Sequence, residues 1–380
     1  MSKISSPISL FELGSTHVNI SIYDEFTSSN NLHYEEKLEY TDKQNFFEND
    51  QIQNSIVKAE KDLGIHLNEI ILLIDSANIK EINFTIQKNF DKKIITNDDI
   101  NYLVKESEQI VKASNKDLEV LHIFKNKIIL DNNSVEELEI FSQEVYKATI
   151  EIKFITIEKI IYKKFQNIFK NNHINVKKIF CTSYIKSIGL INKMDINGFN
   201  SFIDIGHKKS CLTIFKDKKL LYLNSIHLGG NHVTNDIAKI LKINYRKAEA
   251  EKLKFSKKNT TFDSTDENDL LRKIINSRIE EIIELLFLNC SYIKDNFFNN
   301  NLRLFFLGNG SKVLNENLLS FGNEFSFIEE MSIIDENKQD CLYSALVFNK
   351  KNENLNPQKL SVSLENKGFF EKFFEYFSRN

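Results

Sequence analysis

One supersecondary pattern occurs twice, half the chain length apart, and constrains the fold more than any other feature. Around Gly14 the chain reads Phe11-Glu12-Leu13-Gly14, then a short turn and alternating Val18, Ile20 and Ile22. Around Gly206 it reads Ile203-Asp204-Ile205-Gly206, again with a turn and a second apolar strand. In both copies an acidic residue stands two places before a glycine, with apolar side chains on either side. Two copies of one strand–glycine–turn–strand unit predict an α/β fold with two related halves facing each other across a cleft.

The stretches between the hairpins alternate in the same way. A helix is expected over 44–63 and a short buried strand over Ile70–Asp75. Residues 82–155 read as a small α+β unit. It has a strand near Ile82–Gln87, a helix capped by Thr96 or Asn97 and running to about Val111, and strands near 117–130 and 145–155. A helix over 157–171 and a strand over 175–181 lead to the second hairpin. Helical regions at 230–254 and 267–297, a strand at 302–307 and a helix near 338–348 complete the body. The four cysteines, Cys181, Cys211, Cys290 and Cys341, lie far apart, without the spacing of a zinc or redox motif, and read as small core residues.

A hairpin of this kind is suited to cradle phosphate. Glycine lets the backbone approach an oxyanion closely, and successive N–H groups then point at it. The acidic residue is suited to hold the water shell of a magnesium ion. A third glycine turn, Gly308-Asn309-Gly310-Ser311, follows the apolar run Leu304–Leu307 and offers a flat surface for an adenine or a phosphate.

With two hairpins and a third loop in this order, the chain resembles the actin superfamily, and within it the FtsA family. Gly229-Gly230-Asn231-His232-Val233-Thr234-Asn235-Asp236-Ile237-Ala238 is similar to that family's segment after the second phosphate hairpin. Ala248-Glu249-Ala250-Glu251-Lys252-Leu253-Lys254 resembles its downstream helix. The small unit resembles the 1C subdomain of FtsA, most clearly over Ile95–Glu108, Val120-Leu121-His122-Ile123 and Ile128.

The resemblance implies a two-domain actin-like fold with an inserted 1C unit. The divisions expected are a disordered 1–7, domain 1A at 8–81, subdomain 1C at 82–156, domain 1A again at 157–200, domain 2 at 201–325, a return to 1A at 326–349, a linker at 350–366 and an amphipathic helix at 367–380. It implies ATP with Mg2+ as ligands. Glu12, Gly14, Ser15, Thr16, His17, Asp204, Gly206, His207, Lys208 and Lys209 would form the phosphate loops. Gly230, Glu249, Lys252, Gly308, Asn309, Gly310 and Ser311 would lie around ribose and adenine, and Glu12 and Asp204 would hold the metal through water.

The departures from the family pattern bear on chemistry. Glu12 stands where Asp is usual and His17 where Lys is usual. The usual Asp-Ile-Gly-Gly-Gly-Thr-Thr-Asp becomes Asp204-Ile205-Gly206-His207-Lys208-Lys209-Ser210-Cys211. Two glycines and an acidic residue are lost and two lysines appear. Side chains at those positions crowd the approach to phosphate, and no second carboxylate stands ready to orient water. The expectation is nucleotide binding with weak or absent hydrolysis and no catalytic residue.

Residues 350–366 are polar, contain Pro357 and read as a linker with a reach of roughly 20–25 Å. Beyond them Phe369, Phe370, Phe373, Phe374, Tyr376 and Phe377 cover one helical face of roughly 160°, opposite Lys372, Arg379 and other polar residues. A helix of about 20 Å is too short to cross a bilayer but suited to lie in its surface. FtsA-like proteins carry such a membrane-targeting helix.

No uninterrupted apolar run approaches the roughly 18–20 residues of a membrane span, and no signal peptide is evident. The expected location is the cytoplasm, on the cytoplasmic face of the inner membrane at the division site. A net charge of -3 argues against nucleic acid as a partner. The expected partners are the C-terminal peptide of the tubulin-like division protein FtsZ, further copies of the chain, later division proteins through the 1C unit, and lipid. Two other readings stay open: a PilM-like adaptor of a pilus-assembly complex, and an actin-fold small-molecule kinase, against which the altered 206–211 loop counts.

Overall fold

A computed structural model describes residues 7–24, 32–39, 50–74, 76–135, 144–257, 266–294, 301–314, 327–335 and 340–355. Its two large sheets have one topology. The first runs β3 (Leu32–Glu39), β2 (His17–Asp24), β1 (Pro7–Leu13), β4 (Glu69–Ile74), β9 (Asn175–Cys181). The second runs β12 (Lys219–Ile226), β11 (Ser210–Lys216), β10 (Phe199–Ile205), β13 (Leu302–Leu307), β14 (Ile328–Ile333). In each, three strands pair antiparallel and the hairpin's first strand then pairs parallel with a strand from later in the chain. The central strands are buried and nearly continuously apolar, as in Glu69–Ile74, because helices cover both faces of a parallel sheet.

Three edge strands, β3, β12 and β14, are absent from the sequence reading. β3 reads Leu-His-Tyr-Glu-Glu-Lys-Leu-Glu and lies at an edge, where alternating charge discourages pairing with other chains. That same charge hides it from a hydrophobic pattern. β14 is missed for the same reason, with Glu329 and Glu330 both exposed. The helical region over 230–254 divides into α5 (Gly230–Ile240) and α6 (Tyr245–Lys257), with Lys242 at φ 53 between them. A further helix, α4 (Thr182–Met194), follows β9 directly, and no sequence signal had placed it.

Residues 80–158 form a sheet of their own in the order β5 (Lys80–Ile94), β8 (Glu144–Glu158), β6 (Leu118–Leu130), β7 (Asn133–Val135). It is backed by α2 (Asn97–Ser114). Thr96 caps that helix in a reciprocal capping box with Asp99, and Ile100, Leu103 and Val111 face the core. α1 (Asp50–Leu63) and α3 (Lys159–Lys170) lie in the first half, and α7 (Asp266–Phe287) and the short α8 (Ser291–Lys294) in the second. β1 begins at Pro7, within the expected disordered tail, and α9 (Asp340–Leu355) runs into the expected linker. The expected helix over 367–380 lies outside the described residues. Among the described residues no helix is long and apolar enough to cross a membrane. All four cysteines are buried.

Candidate functional site

The two hairpin turns close identically. Gly14 N–H donates to the His17 carbonyl at 2.9 Å, and Gly206 N–H donates to the Lys209 carbonyl at 2.9 Å. Their acidic residues sit one strand position inside the turn, Glu12 and Asp204 both buried. Lys186, from α4, reaches between them, with Nζ 3.9 Å from Glu12 Oε1 and 3.4 Å from Asp204 Oδ2. Asn19 Nδ2 donates to the other Glu12 oxygen at 2.7 Å. Ser183 Oγ donates to Asp204 Oδ2 at 3.2 Å, and buried Lys209 donates to Ser183 Oγ at 3.1 Å.

The third loop packs on the second hairpin. Gly308 has φ 82, and a Cβ there would stand 2.4 Å from Asp204 Oδ1. A Cβ on Gly310 would stand 2.7 Å from the Ile205 carbonyl oxygen. Both glycines are required by close approach to the end of β10. Ser311 turns back, its Oγ donating to the Gly308 carbonyl at 2.7 Å, while Asn309 is exposed.

Gly230 and Asn231, opening α5, donate to the Gly206 and His207 carbonyls at 2.9 and 2.8 Å. The positive end of α5 therefore rests on the second hairpin turn. Lys252 of α6 is buried and donates to the Gly230 carbonyl at 3.1 Å and to Thr234 Oγ1 at 2.7 Å, and it pairs with Glu249 at 2.8 Å. These contacts bring Glu12, Asp204, Gly206, His207, Lys209, Gly230, Lys252, Gly308 and Gly310 together.

The details differ from the sequence reading at three points. His17 folds over its own turn, its imidazole Cε1 2.8 Å from where a Gly14 Cβ would lie, and burial lowers its pKa. Ser15 and Thr16 stay half-buried beside it. Lys208 is exposed, whereas Lys209 turns inward, where desolvation lowers its pKa. Lys186, Ser183 and Asn19 were not anticipated. Lys186 is the one charged residue between Lys178 and Lys193, and that isolation is the one sequence signal it carries.

Three glycine loops meeting at the ends of two hairpins fit a chain of phosphates. A hydrated magnesium ion held by Glu12 and Asp204 does not fit these residues, because the Lys186 ammonium lies between the carboxylates. Among the described residues no group of three His, Cys, Asp or Glu side chains is placed to hold a metal ion.

The family model for the cell division protein FtsA matches residues 201–315, which include the second hairpin, α5, α6 and the third loop. The chain is 22% identical to the FtsA of Agrobacterium fabrum and 22% identical to that of Bacillus subtilis. Each alignment covers 62% of this chain and 57% of the relative's length. Among solved structures, the PilM–PilN type IV pilus biogenesis complex matches with a TM-score of 0.59 at 11% identity, over 89% of this chain and 90% of that one. MreB5 of Spiroplasma citri bound to ADP matches with a TM-score of 0.49 at 13% identity, over 93% and 99%. The fold is that of the actin-like ATPases, and in sequence the chain is similar to the cell division protein FtsA.

Proposed function

We propose that this chain is an FtsA-like cell-division adaptor. In this reading it binds the C-terminal peptide of FtsZ, self-associates as actin-like proteins do, and holds the assembly at the cytoplasmic face of the inner membrane through residues 367–380. The surface around 225–300 takes the FtsZ peptide, and the unit at 80–158 receives later division proteins. One observation carries the reading: the segment matched by FtsA holds the duplicated hairpin and the loops packed on it.

ATP is the ligand proposed for the cleft. Gly14, Ser15, Thr16 and the 206–209 turn take the phosphates, while Gly230, Glu249 and the Gly308–Ser311 loop flank ribose and adenine. ATP supplies the bound phosphate chain that links the two halves. Hydrolysis is weak or absent, since Lys209 is turned onto Ser183 and no carboxylate follows Asp204 in the turn to orient a water.

Membrane attachment through 367–380 works by multiplicity. Each phenylalanine buried in lipid contributes about 1.5–3 kcal/mol, offset by the ordering of the segment, so one copy binds reversibly and an assembled row binds firmly. Pull-down of the full chain on immobilised FtsZ peptide and co-sedimentation with anionic vesicles test both halves of the proposal. Retention on the peptide is expected, as is loss of vesicle binding when 367–380 is deleted. No peptide binding, or unchanged vesicle binding after the deletion, rejects the corresponding half. The PilM-like reading is favoured by the fold match over 89% of the chain. Capture of a pilus-protein cytoplasmic peptide in place of the FtsZ peptide would select it.

A further inference from the structure

We infer that the Lys186 ammonium is the resident cation of this cleft and that magnesium does not bind between Glu12 and Asp204. The two acids come from equivalent positions on β1 and β10, and Lys186 lies within 4 Å of both, at 3.9 and 3.4 Å. All three side chains are withdrawn from solvent, at 5%, 4% and 14% exposure for Glu12, Asp204 and Lys186. Two of the carboxylate oxygens have further donors. Asn19 satisfies the second oxygen of Glu12, and Ser183 donates to the same Asp204 oxygen that faces Lys186.

Magnesium requires a near-octahedral oxygen shell at about 2.0–2.1 Å and keeps several of its waters. Such a shell has no room beside an ammonium this close to both carboxylates, and the ammonium also supplies the charge that the metal would bring. Lys209, held on Ser183 Oγ, places a second lysine one hydroxyl away from Asp204. α4 makes this possible: Ser183 and Lys186 are three residues apart and share one helical face, turned toward Asp204. The consequence is mechanical. Where a metal–nucleotide complex would join the halves, one lysine already ties β1 to β10.

The inference rests on the nucleotide reading only in the second of two measurements. In the first, the full chain without nucleotide is titrated with Mn2+ and followed by electron paramagnetic resonance, and its melting temperature is recorded with and without millimolar Mg2+. The wild type is expected to show no saturable Mn2+ site and no Mg2+-dependent melting. Lys186→Ala, which leaves the two acids facing each other, is expected to bind Mn2+ at least about tenfold more tightly than wild type. Mg2+ should restore part of the melting temperature it loses. Lys186→Arg should stay insensitive, and adding Glu12→Gln to Lys186→Ala should abolish the new site. Lys186→Gln, closer in size, gives the same readout where the alanine variant does not fold. Saturable Mn2+ binding by the wild type that Glu12→Gln removes overturns the inference, as does a failure of both neutral variants to gain affinity.

In the second measurement, binding of a fluorescent ATP analogue should change by less than about threefold between EDTA and Mg2+ buffers. Tightening by Mg2+ of about tenfold or more overturns the inference while leaving nucleotide binding intact. Absence of binding in both buffers rejects ATP as the ligand, and the Mn2+ titration then decides the role of Lys186 alone.

Discussion

The backbone N–H of Cys181 donates to His122 Nε2 at 2.9 Å, which joins the end of β9 to the middle of β6. The imidazole is enclosed by Phe124, Phe180, Tyr184 and Phe348, so the small sheet, α4 and α9 meet on one neutral ring. Burial pushes its pKa down to about 3. Below the ordinary imidazole value of about 6.5 the unfolded chain takes up a proton that the folded ring refuses. The contribution is therefore fully present above that pH and is lost as pH falls toward 3. The His17 pKa, also lowered by burial, acts in the same direction. Urea denaturation at stepped pH should show stability falling below pH 6.5 by up to about 1.4 kcal/mol per unit for each such histidine. His122→Phe should flatten that slope by close to one proton, while the unpaired Cys181 N–H costs about 1–3 kcal/mol near neutrality.

Glu81 and Lys153 form a buried ion pair between β5 and β8, and it reaches beyond the small sheet. Glu81 Oε2 accepts from the backbone N–H of Leu223 on β12 at 2.8 Å, and Lys153 also donates to Asn83 Oδ1 at 2.8 Å. Removing one partner strands the other charge in the interior. Lys153→Met should lower stability by about 3–5 kcal/mol. Lys153→Met combined with Glu81→Gln should cost less than the sum of the two single changes, as read by chemical denaturation of all four species.

Gly310 and Gly64 separate two uses of glycine. At Gly64 φ is 64 and an added Cβ meets nothing within 4 Å, so Gly64→Ala bears only the left-handed conformation, about 1–2 kcal/mol. At Gly310 a Cβ would meet the Ile205 side chain and carbonyl, and the third loop must lift from β10. Gly310→Ala should therefore weaken binding of an ATP analogue, whereas Gly64→Ala should lower the melting temperature and leave that binding unchanged.

Lys252 serves the carbonyl of Gly230, the Thr234 hydroxyl and Glu249 together. Lys252→Met leaves Glu249 with one partner fewer and the first turn of α5 without its tether. A stability loss of about 2–4 kcal/mol is expected from denaturation curves. Glu249→Gln should cost less, because its side chain is 30% exposed and water replaces much of the lost pairing.

Much of this molecule was legible in the order of its residues. Both hairpins stand where alternating apolar residues and a glycine two places after an acid put them. β9 falls on the expected 175–181, and Thr96 is the cap of α2. The edge strands β3, β12 and β14 were not legible. β3 carries four charged residues in eight, and the contacts that make it a strand belong to β2, not to itself. α4 escaped because its buried Ser183 and Ser187 and its half-buried Gly189 break the apolar stripe by which a helix is recognised, and the helix is held by packing on α9.

Local pattern alone determined that there would be two hairpins, two acids and three glycine turns, because hydrophobic period and turn chemistry act over a few neighbouring residues. Only the tertiary structure decided that Lys186 would stand between Glu12 and Asp204, that His17 would cover its own turn, and that Gly308 and Gly310 would press on β10. Those outcomes depend on which charges are withdrawn from water together, and desolvation is set by groups far apart in the chain.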